Sequence, residues 1–339
     1  MQAVISTWFV ADDAATATFF PQIGSRSDAP AAQAVYWRCA ACFFASSLAI
    51  NPGARHRFYT NTALPSVDGV DFEALFTRWG VEVVTLPITY RLPRGSVGSW
   101  GNQFYIFDVL DHIAAEQDDA AHIVLDSDCL WLRPVDAMLS DIAQHGALTY
   151  LLDASEHAEN EPINGLTRQG MARFLAAQGG PDLPATPYFG GEIFAARSDV
   201  IRTLASRARA LWPLVCQQGP DAPREEAHFL SVLYALQGIA PGTTNRYIRR
   251  MWTTFRHNNL QRSDADLTIW HLPVEKRTGF ADLFARITAD PALHPGRDAV
   301  AMGLERQTYA RLMGWPRRSL SKFLRDLCLK LREKLRPAK

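Results

Sequence analysis

His122-Ile-Val-Leu-Asp-Ser-Asp-Cys-Leu-Trp131 is the stretch on which the reading of this chain turns. His122 to Leu125 is a short run of the kind that makes a fully buried strand, and Cys129 to Leu132 resumes the apolar pattern at once. Two carboxylates set inside such a run are costly to bury unless a cation or hydrogen-bond donors meet them. At the carboxyl end of a strand they would lie where open α/β sheets hold their ligands. The pattern Asp-x-Asp is weak by itself, since 23 aspartates in 339 residues produce such pairs by chance. A second one, Asp264-Ala265-Asp266, follows Asn258 and Asn259 in a polar stretch and is expected on a surface loop. The plainer alternative for Asp126 and Asp128 is a pair that caps a turn.

Strands and helices alternate on either side of this segment. Val4 to Val10 reads as a buried strand opening into a loop at Ala11-Asp12-Asp13, and a helix is expected over about Tyr36 to Ile50, stopped by Asn51-Pro52-Gly53. Arg57 to Tyr59 begins a second strand that ends at Thr60-Asn61. Phe72 to Trp79 reads as a helix closed by Gly80, Val81 to Leu86 as a third strand, and Gln103 to Ala115 as an amphipathic helix. Leu148 to Leu152 and Phe189 to Ala196 read as strands. Helices are expected over Asn164 to Gln178, Asp199 to Cys216 and Arg224 to Leu236, and a last strand over Thr268 to His271. This alternation predicts an α/β fold with a Rossmann-like, mostly parallel sheet flanked by helices. The expected division is a main domain over 1–285, a helical extension over 286–315 and a basic tail over 316–339.

Composition narrows the function. Hydrophobic residues make up 47% and charged residues 21% of the chain, ordinary for a protein with a substantial core. Net charge is zero, but residues 316–339 hold nine Lys/Arg against Asp326 and Glu333, a balance of +7 that leaves −7 for the rest. A nucleic-acid binder would carry its basic residues on the folded body, so nucleic acid is set aside as a partner. The five scattered cysteines suit reduced, buried thiols in a cytoplasmic protein, and Cys39-Ala-Ala-Cys42 reads as helix packing. The N-terminus lacks a basic region and reads as a strand, and no apolar run has the length of a membrane span.

His122 to Trp131 resembles the strand-borne Asp-x-Asp segment of GT-A fold nucleotide-diphospho-sugar glycosyltransferases. The helix Gln103-Phe-Tyr-Ile-Phe-Asp-Val-Leu110 is similar to the one that precedes that segment. Tyr188-Phe-Gly-Gly-Glu-Ile-Phe-Ala-Ala196 resembles the Tyr-Phe-Asn-x-Gly segment of family 8 and related bacterial lipopolysaccharide and polysaccharide sugar transferases. Glu225-Glu226 stands where those enzymes have an acidic residue followed by Gln, and Trp270-His271 resembles their late metal-binding histidine. Gly190-Gly191-Glu192 departs from Asn-x-Gly, and Lys276 follows His271 without a clean Gly-x-x-Lys-Pro-Trp.

The resemblance implies a metal-dependent transfer of a sugar from a nucleotide diphosphate donor to a saccharide or glycolipid acceptor. Asp126, Asp128 and His271 are then the metal ligands, for Mn2+ or Mg2+, and the ion neutralises the leaving diphosphate as a Lewis acid. Ser127 lies between the two acids, and Lys276 with Arg277 is placed to reach the diphosphate. Gly190 and Gly191 allow close approach of a bound sugar. Glu192, Glu225 and Glu226 are the candidates for a general base. Asp12, Asn61 and Gln103 are expected in the nucleotide cradle. A metal-dependent nucleotidyltransferase would share sheet and metal but needs a Gly-rich basic loop after the first strand, where this chain has Ala11 to Thr16. The other alternative is a non-catalytic sugar-nucleotide-binding protein.

In the tail, Leu320, Phe323, Leu324, Leu327, Leu331 and Leu335 recur at helical spacing. Arg317, Arg318, Lys322, Arg325, Lys330, Arg332, Lys334 and Arg336 surround that stripe. The pattern predicts a basic amphipathic helix lying on an anionic membrane surface, which would make the enzyme peripheral to the inner face of the cytoplasmic membrane. The plainer alternative is a helix packed on the body or on a second copy of the chain.

Overall fold

The computed structural model describes residues 1–96, 99–152, 158–239 and 241–335, leaving aside the side chains of 329 and 332–335. In chain order its strands are β1 (Ala3–Phe9), β2 (Phe19–Phe20), β3 (Ser25–Arg26), β4 (Arg55–Thr60), β5 (Ser66–Val67), β6 (Val70–Asp71), β7 (Val81–Thr85), β8 (Ala121–Leu125), β9 (Cys129–Trp131), β10 (Ala147–Leu151), β11 (Phe189–Arg197), β12 (Gly242–Thr243), β13 (Ile248–Arg250) and β14 (Ile269–His271). The helices are α1 (Pro30–Ile50), α2 (Phe72–Trp79), α3 (Tyr105–Ala115), α4 (Asp136–His145), α5 (Arg168–Ala177), α6 (Ser198–Cys216), α7 (Glu226–Leu236), α8 (Gly279–Ile287), α9 (Pro295–Met302), α10 (Arg306–Met313) and α11 (Leu320–Leu335).

Seven strands form the central sheet in the order β12-β10-β11-β8-β1-β4-β7. β8, β1, β4 and β7 are parallel neighbours, whereas β11 runs antiparallel to both β8 and β10. The mostly parallel sheet predicted from the sequence is thus the observed one. The chain steps from β1 to β4 to β7 and then returns across β1 to β8. The steps from β1 to β4 and from β4 to β7 run through α1 and α2 and the return to β8 through α3, so crossovers of the usual right hand would set α3 on the opposite face. The return makes a switch point between β1 and β8, and a crevice opens at their carboxyl ends.

Local signals explain most element ends. Asp71 caps α2 by accepting from the amides of Glu73 and Ala74, and Gly80 closes it at φ 70°, a backbone that L side chains rarely adopt. α1 begins six residues before the expected Tyr36. Pro30 sits in its first turn, where a missing N–H costs nothing, and alanines continue from it. Thirteen of its 21 residues are buried, because β1, β9, α8 and α9 surround it. The helix expected over Asn164 to Gln178 starts only at Arg168, capped by Thr167, since Asn164 takes φ 44° in a turn closed by the Ile163–Leu166 pairing.

Cys39 and Cys42 pack within α1 as expected, while Cys328 is exposed, which corrects the reading of every cysteine as buried. The second Asp-x-Asp also departs from its expectation. Asp264 is buried in a short 3-10 turn, where it pairs with Arg249 and accepts from the Gln261 amide. Only Asp266 of that pair stays exposed.

Beside the large sheet lies a three-stranded one, β13-β14-β9. The chain leaves the large sheet at Leu125 and enters the small one at Cys129. The intervening Asp126-Ser127-Asp128 is the junction of the two, and both its ends are fixed. The Asp126 amide donates to the Glu192 carbonyl at 3.0 Å, and the Leu272 amide donates to the Asp128 carbonyl at 3.0 Å.

Candidate active site

The junction faces a cavity of about 290 Å3 at the carboxyl ends of β1 and β8. β1 and the loop after it supply Trp8, Phe9 and Val10, and Trp100, Asn102 and Gln103 come from the approach to α3. Asn164, Glu225 and Glu226 close one side, with Arg250, Trp252, His271 and Lys276 on another. A second cavity, of about 390 Å3, lies at the amino ends of β4 and β7 between Arg55, His56, Glu82 and His294, away from these groups.

Strand register brings the three candidate ligands together. His271 ends β14 and pairs antiparallel with Cys129, directly after Asp128. Its Nε2 lies 3.5 Å from Asp126 Oδ2 and 3.4 Å from Asp128 Oδ2, and all three groups offer ligand atoms within 4.8 Å of one another. Asp128 is 1% exposed while Asp126 is 39% exposed to the cleft. Two carboxylates suit a hard divalent cation such as manganese or magnesium, and the imidazole beside them favours manganese of the two. The donor set therefore fits the metal that the sequence implies. Glu116, Asp118 and His122 also approach one another, but Arg57 neutralises Glu116 at 2.9 Å and Ser198 donates to Asp118 at 2.6 Å.

Positive groups balance the acids. Lys276 Nζ lies 2.6 Å from Asp128 Oδ2, donates to Gln22 Oε1 at 2.8 Å and sits over the Tyr36 ring. Burial opposes charge on Asp128, yet Lys276 and His271 hold it well below the ordinary carboxylate range. Burial in the cleft and then the Asp128 carboxylate raise Asp126, a rise tempered by the water that reaches its exposed side. Burial would discharge His271, but Asp128, Asp126 and Glu192 together raise its pKa.

The three acids considered as bases have different surroundings. Glu192, on β11, is gripped by both arms of Arg250 at 3.0 and 2.8 Å, and despite its burial Arg250 and His271 lower its pKa. Glu225 stands just before α7, where Tyr188 donates to Oε1 at 2.5 Å and Asn164 donates to Oε2. Glu226 lines the cavity with Oε2 buried and without a hydrogen-bond partner. Burial, then the neighbouring Glu225 and Asp126, push its pKa well above the usual carboxylate range.

Ser127 and Gln103 also line the cavity. Asp12 and Asn61 do not line it. Asp12 is paired with Arg91 at 3.0 Å, and Asn61 exchanges two hydrogen bonds with the Ala11 backbone, so both brace the loop after β1. Gly190 and Gly191 serve neighbours within the protein. A Cβ on Gly190 would meet Glu192 Oε2 at 2.1 Å, and one on Gly191 would meet Glu226 Oε1 at 2.1 Å. Arg277 is not among the lining residues, whereas Lys276 is. Sequence reasoning missed Arg250, Tyr36 and the tryptophans Trp8, Trp100 and Trp252.

No protein-family model matches the chain, and no curated protein matches its sequence. Among solved structures it is similar to an active-site mutant of LgtC, with 13% identity over 79% of this chain and 86% of that one and a TM-score of 0.47. It is also similar to the galactosyltransferase LgtC in complex with donor and acceptor sugar analogues, with 14% identity over 92% of this chain and 95% of that one and a TM-score of 0.46.

Proposed function

We propose that this protein is a GT-A type glycosyltransferase that moves a sugar from a nucleoside diphosphate donor to a saccharide or lipid-linked saccharide acceptor, with a divalent metal held by Asp126, Asp128 and His271. The observation that carries the reading is the meeting of these three residues at the sheet's switch point, inside a cavity with aromatic walls. A manganese ion bound there would supply positive charge to the departing diphosphate. Lys276 brings a second positive charge to the same end of the cavity. Trp8, Trp100 and Trp252 offer flat apolar faces of the kind that suit a sugar ring or a base.

Glu226 is the acid we assign to exchange a proton with the acceptor hydroxyl, because it lines the cavity and one of its oxygens has no hydrogen-bond partner, while Glu192 and Glu225 are occupied. With its pKa raised, the carboxylate is more basic than an ordinary glutamate once it forms, and in an inverting reaction it is the general base. A screen of nucleotide sugars for manganese-dependent hydrolysis tests the class of reaction. Loss of a partner that merely orients a ligand costs about 10- to 100-fold in metal affinity, so His271→Ala is expected to weaken manganese binding at least that much. Normal binding by a folded His271→Ala protein, titrated with nucleoside diphosphate present, would remove the histidine from the site.

Attachment of the tail to an anionic membrane is part of the same proposal, and the exposed leucines of α11 support it. Leu320 is 75% and Leu331 49% exposed, and Leu324 lies between them on the same face of α11. Not every basic residue counted for this surface is available to lipid. Lys322 is buried, Arg325 pairs with Asp282, and Arg318 pairs with Asp326 at 3.0 Å. Arg336 and the side chains of Arg332, Lys334 and Leu335 lie outside the described residues. Among the described residues no helix is long and apolar enough to cross a membrane. Vesicles containing anionic lipid should float the full chain at low salt, and Leu320→Ser/Leu324→Ser/Leu331→Ser should stay behind. Equal partition of the two proteins would count against lipid and leave that face to another protein.

A further inference from the structure

We propose that Lys322, in the C-terminal helix, is a positioning residue for the donor site that holds Lys276 in place through Glu275. The inference rests on reading the cavity as a donor site. Glu275 and Lys276 are consecutive residues of the short 3-10 turn Glu275–Arg277, and their side chains reach different partners. Lys276 enters the cavity and meets Asp128, whereas Glu275 meets the tail.

Lys322 Nζ donates to Glu275 Oε2 at 2.6 Å, and the two side chains are 3% and 2% exposed. The same oxygen accepts from Thr278 Oγ1 at 2.7 Å and from the Gly279 amide at 3.3 Å, while Oε1 accepts from Thr253 Oγ1 at 2.6 Å. One carboxylate thus ties together the turn, the start of α8, α11 and the loop that carries Trp252 to the cavity wall. Lys322 is held in turn by Asp326, 3.4 Å away and itself paired with Arg318. The Phe255 and Phe323 rings, 5.3 Å apart, add an apolar contact between that loop and the helix.

A helix serving only as a surface anchor would keep its lysines in water. Burying one against the residue next to Lys276 joins the tail to the site. Removing either member of a fully buried pair leaves the other uncompensated, and the local structure shifts to rehydrate it. A three-residue turn has little freedom to absorb that shift without moving Lys276.

The test uses full-length protein. Manganese binding alone is followed by electron paramagnetic resonance, and binding of UDP, GDP, ADP and CDP with manganese by calorimetry. Loss of a group that orients a ligand-holding residue commonly costs about 10- to 100-fold in affinity, and Lys322→Met is expected to weaken nucleoside diphosphate binding by about that much. Lys322→Arg, which keeps the charge, should stay close to the parent, and Lys322→Met/Glu275→Gln should recover most of the loss. A lowered melting temperature with unchanged diphosphate affinity in Lys322→Met would overturn the proposal and make the pair a purely structural tie. Should Lys322→Met fail to fold, Glu275→Gln alone poses the same question with the same two outcomes. A parent protein that binds no nucleoside diphosphate with manganese would instead sink the donor-site reading itself, before any variant is compared.

Discussion

Asp128→Ala is expected to abolish manganese-dependent transfer while the sheet remains folded. Asp128 is the buried member of the acid pair and the one that Lys276 and His271 both approach, at 2.6 and 3.4 Å. On the proposed reading its loss would remove a metal ligand, and it leaves two cationic groups facing each other without the carboxylate between them. Removing a single charge-stabilising group from an active site commonly costs about 100- to 1,000-fold, and a lost metal ligand should cost at least as much. Initial rates with saturating manganese measure the effect, and circular dichroism establishes that the fold survives. A folded Asp128→Ala protein with undiminished activity would falsify the site assignment.

Glu226→Gln should be more stable than the parent at neutral pH and much less active. A carboxyl whose folded pKa is raised binds more protons when folded than when unfolded, between its unfolded pKa and its folded one. Through that window stability falls as pH rises, and the loss is complete above the folded value. The slope reaches at most about 1.4 kcal/mol per pH unit for one group. Glutamine keeps the shape and has nothing to ionise, so the variant escapes this loss. Melting curves from pH 5 to 8, recorded without metal, should therefore diverge, with the parent falling further. Glu225 and Asp126, which help to raise Glu226, remain in both proteins. Parallel curves would mean that Glu226 ionises as an ordinary glutamate. If the curves diverge and activity is nevertheless kept, Glu226 is not the proton-transfer group.

The sequence makes the sheet legible because its strands are short apolar runs closed by Asn, Asp and Gly, and α2 can be bounded to the residue by Asp71 and Gly80. The acid pair is legible for a related reason, since two aspartates inside an apolar run demand a cation or donors to offset their burial. Arg250 is harder to find. It stands in the run Arg249-Arg250, and only the pairing of β13 with β14 sets it beside His271, while Arg249 turns to Asp264. The glycines Gly190 and Gly191 advertise a close approach but do not say by what, and Glu192 and Glu226 fill the space. Asp12 and Asn61 stand at strand ends, where a ligand contact and a loop brace leave the same trace in sequence. Lys322 is hidden by its neighbours, since one buried lysine in a basic helix looks like all the others.

The junction between the two sheets also bears on how long a molecule lasts. Asp126 and Asp128 lie where the chain crosses from the large sheet to the small one, and His271 belongs to the small one. An ion gripped by all three would stitch that crossing from the cavity side. Opening β14 would then require releasing the ion as well as breaking strand pairing. Anything that binds the closed form and not the opened one lowers the population of the opened form. A working enzyme, loaded with metal and donor, would therefore offer proteases fewer openings than an idle one, and its turnover in the cell would follow its supply of substrate.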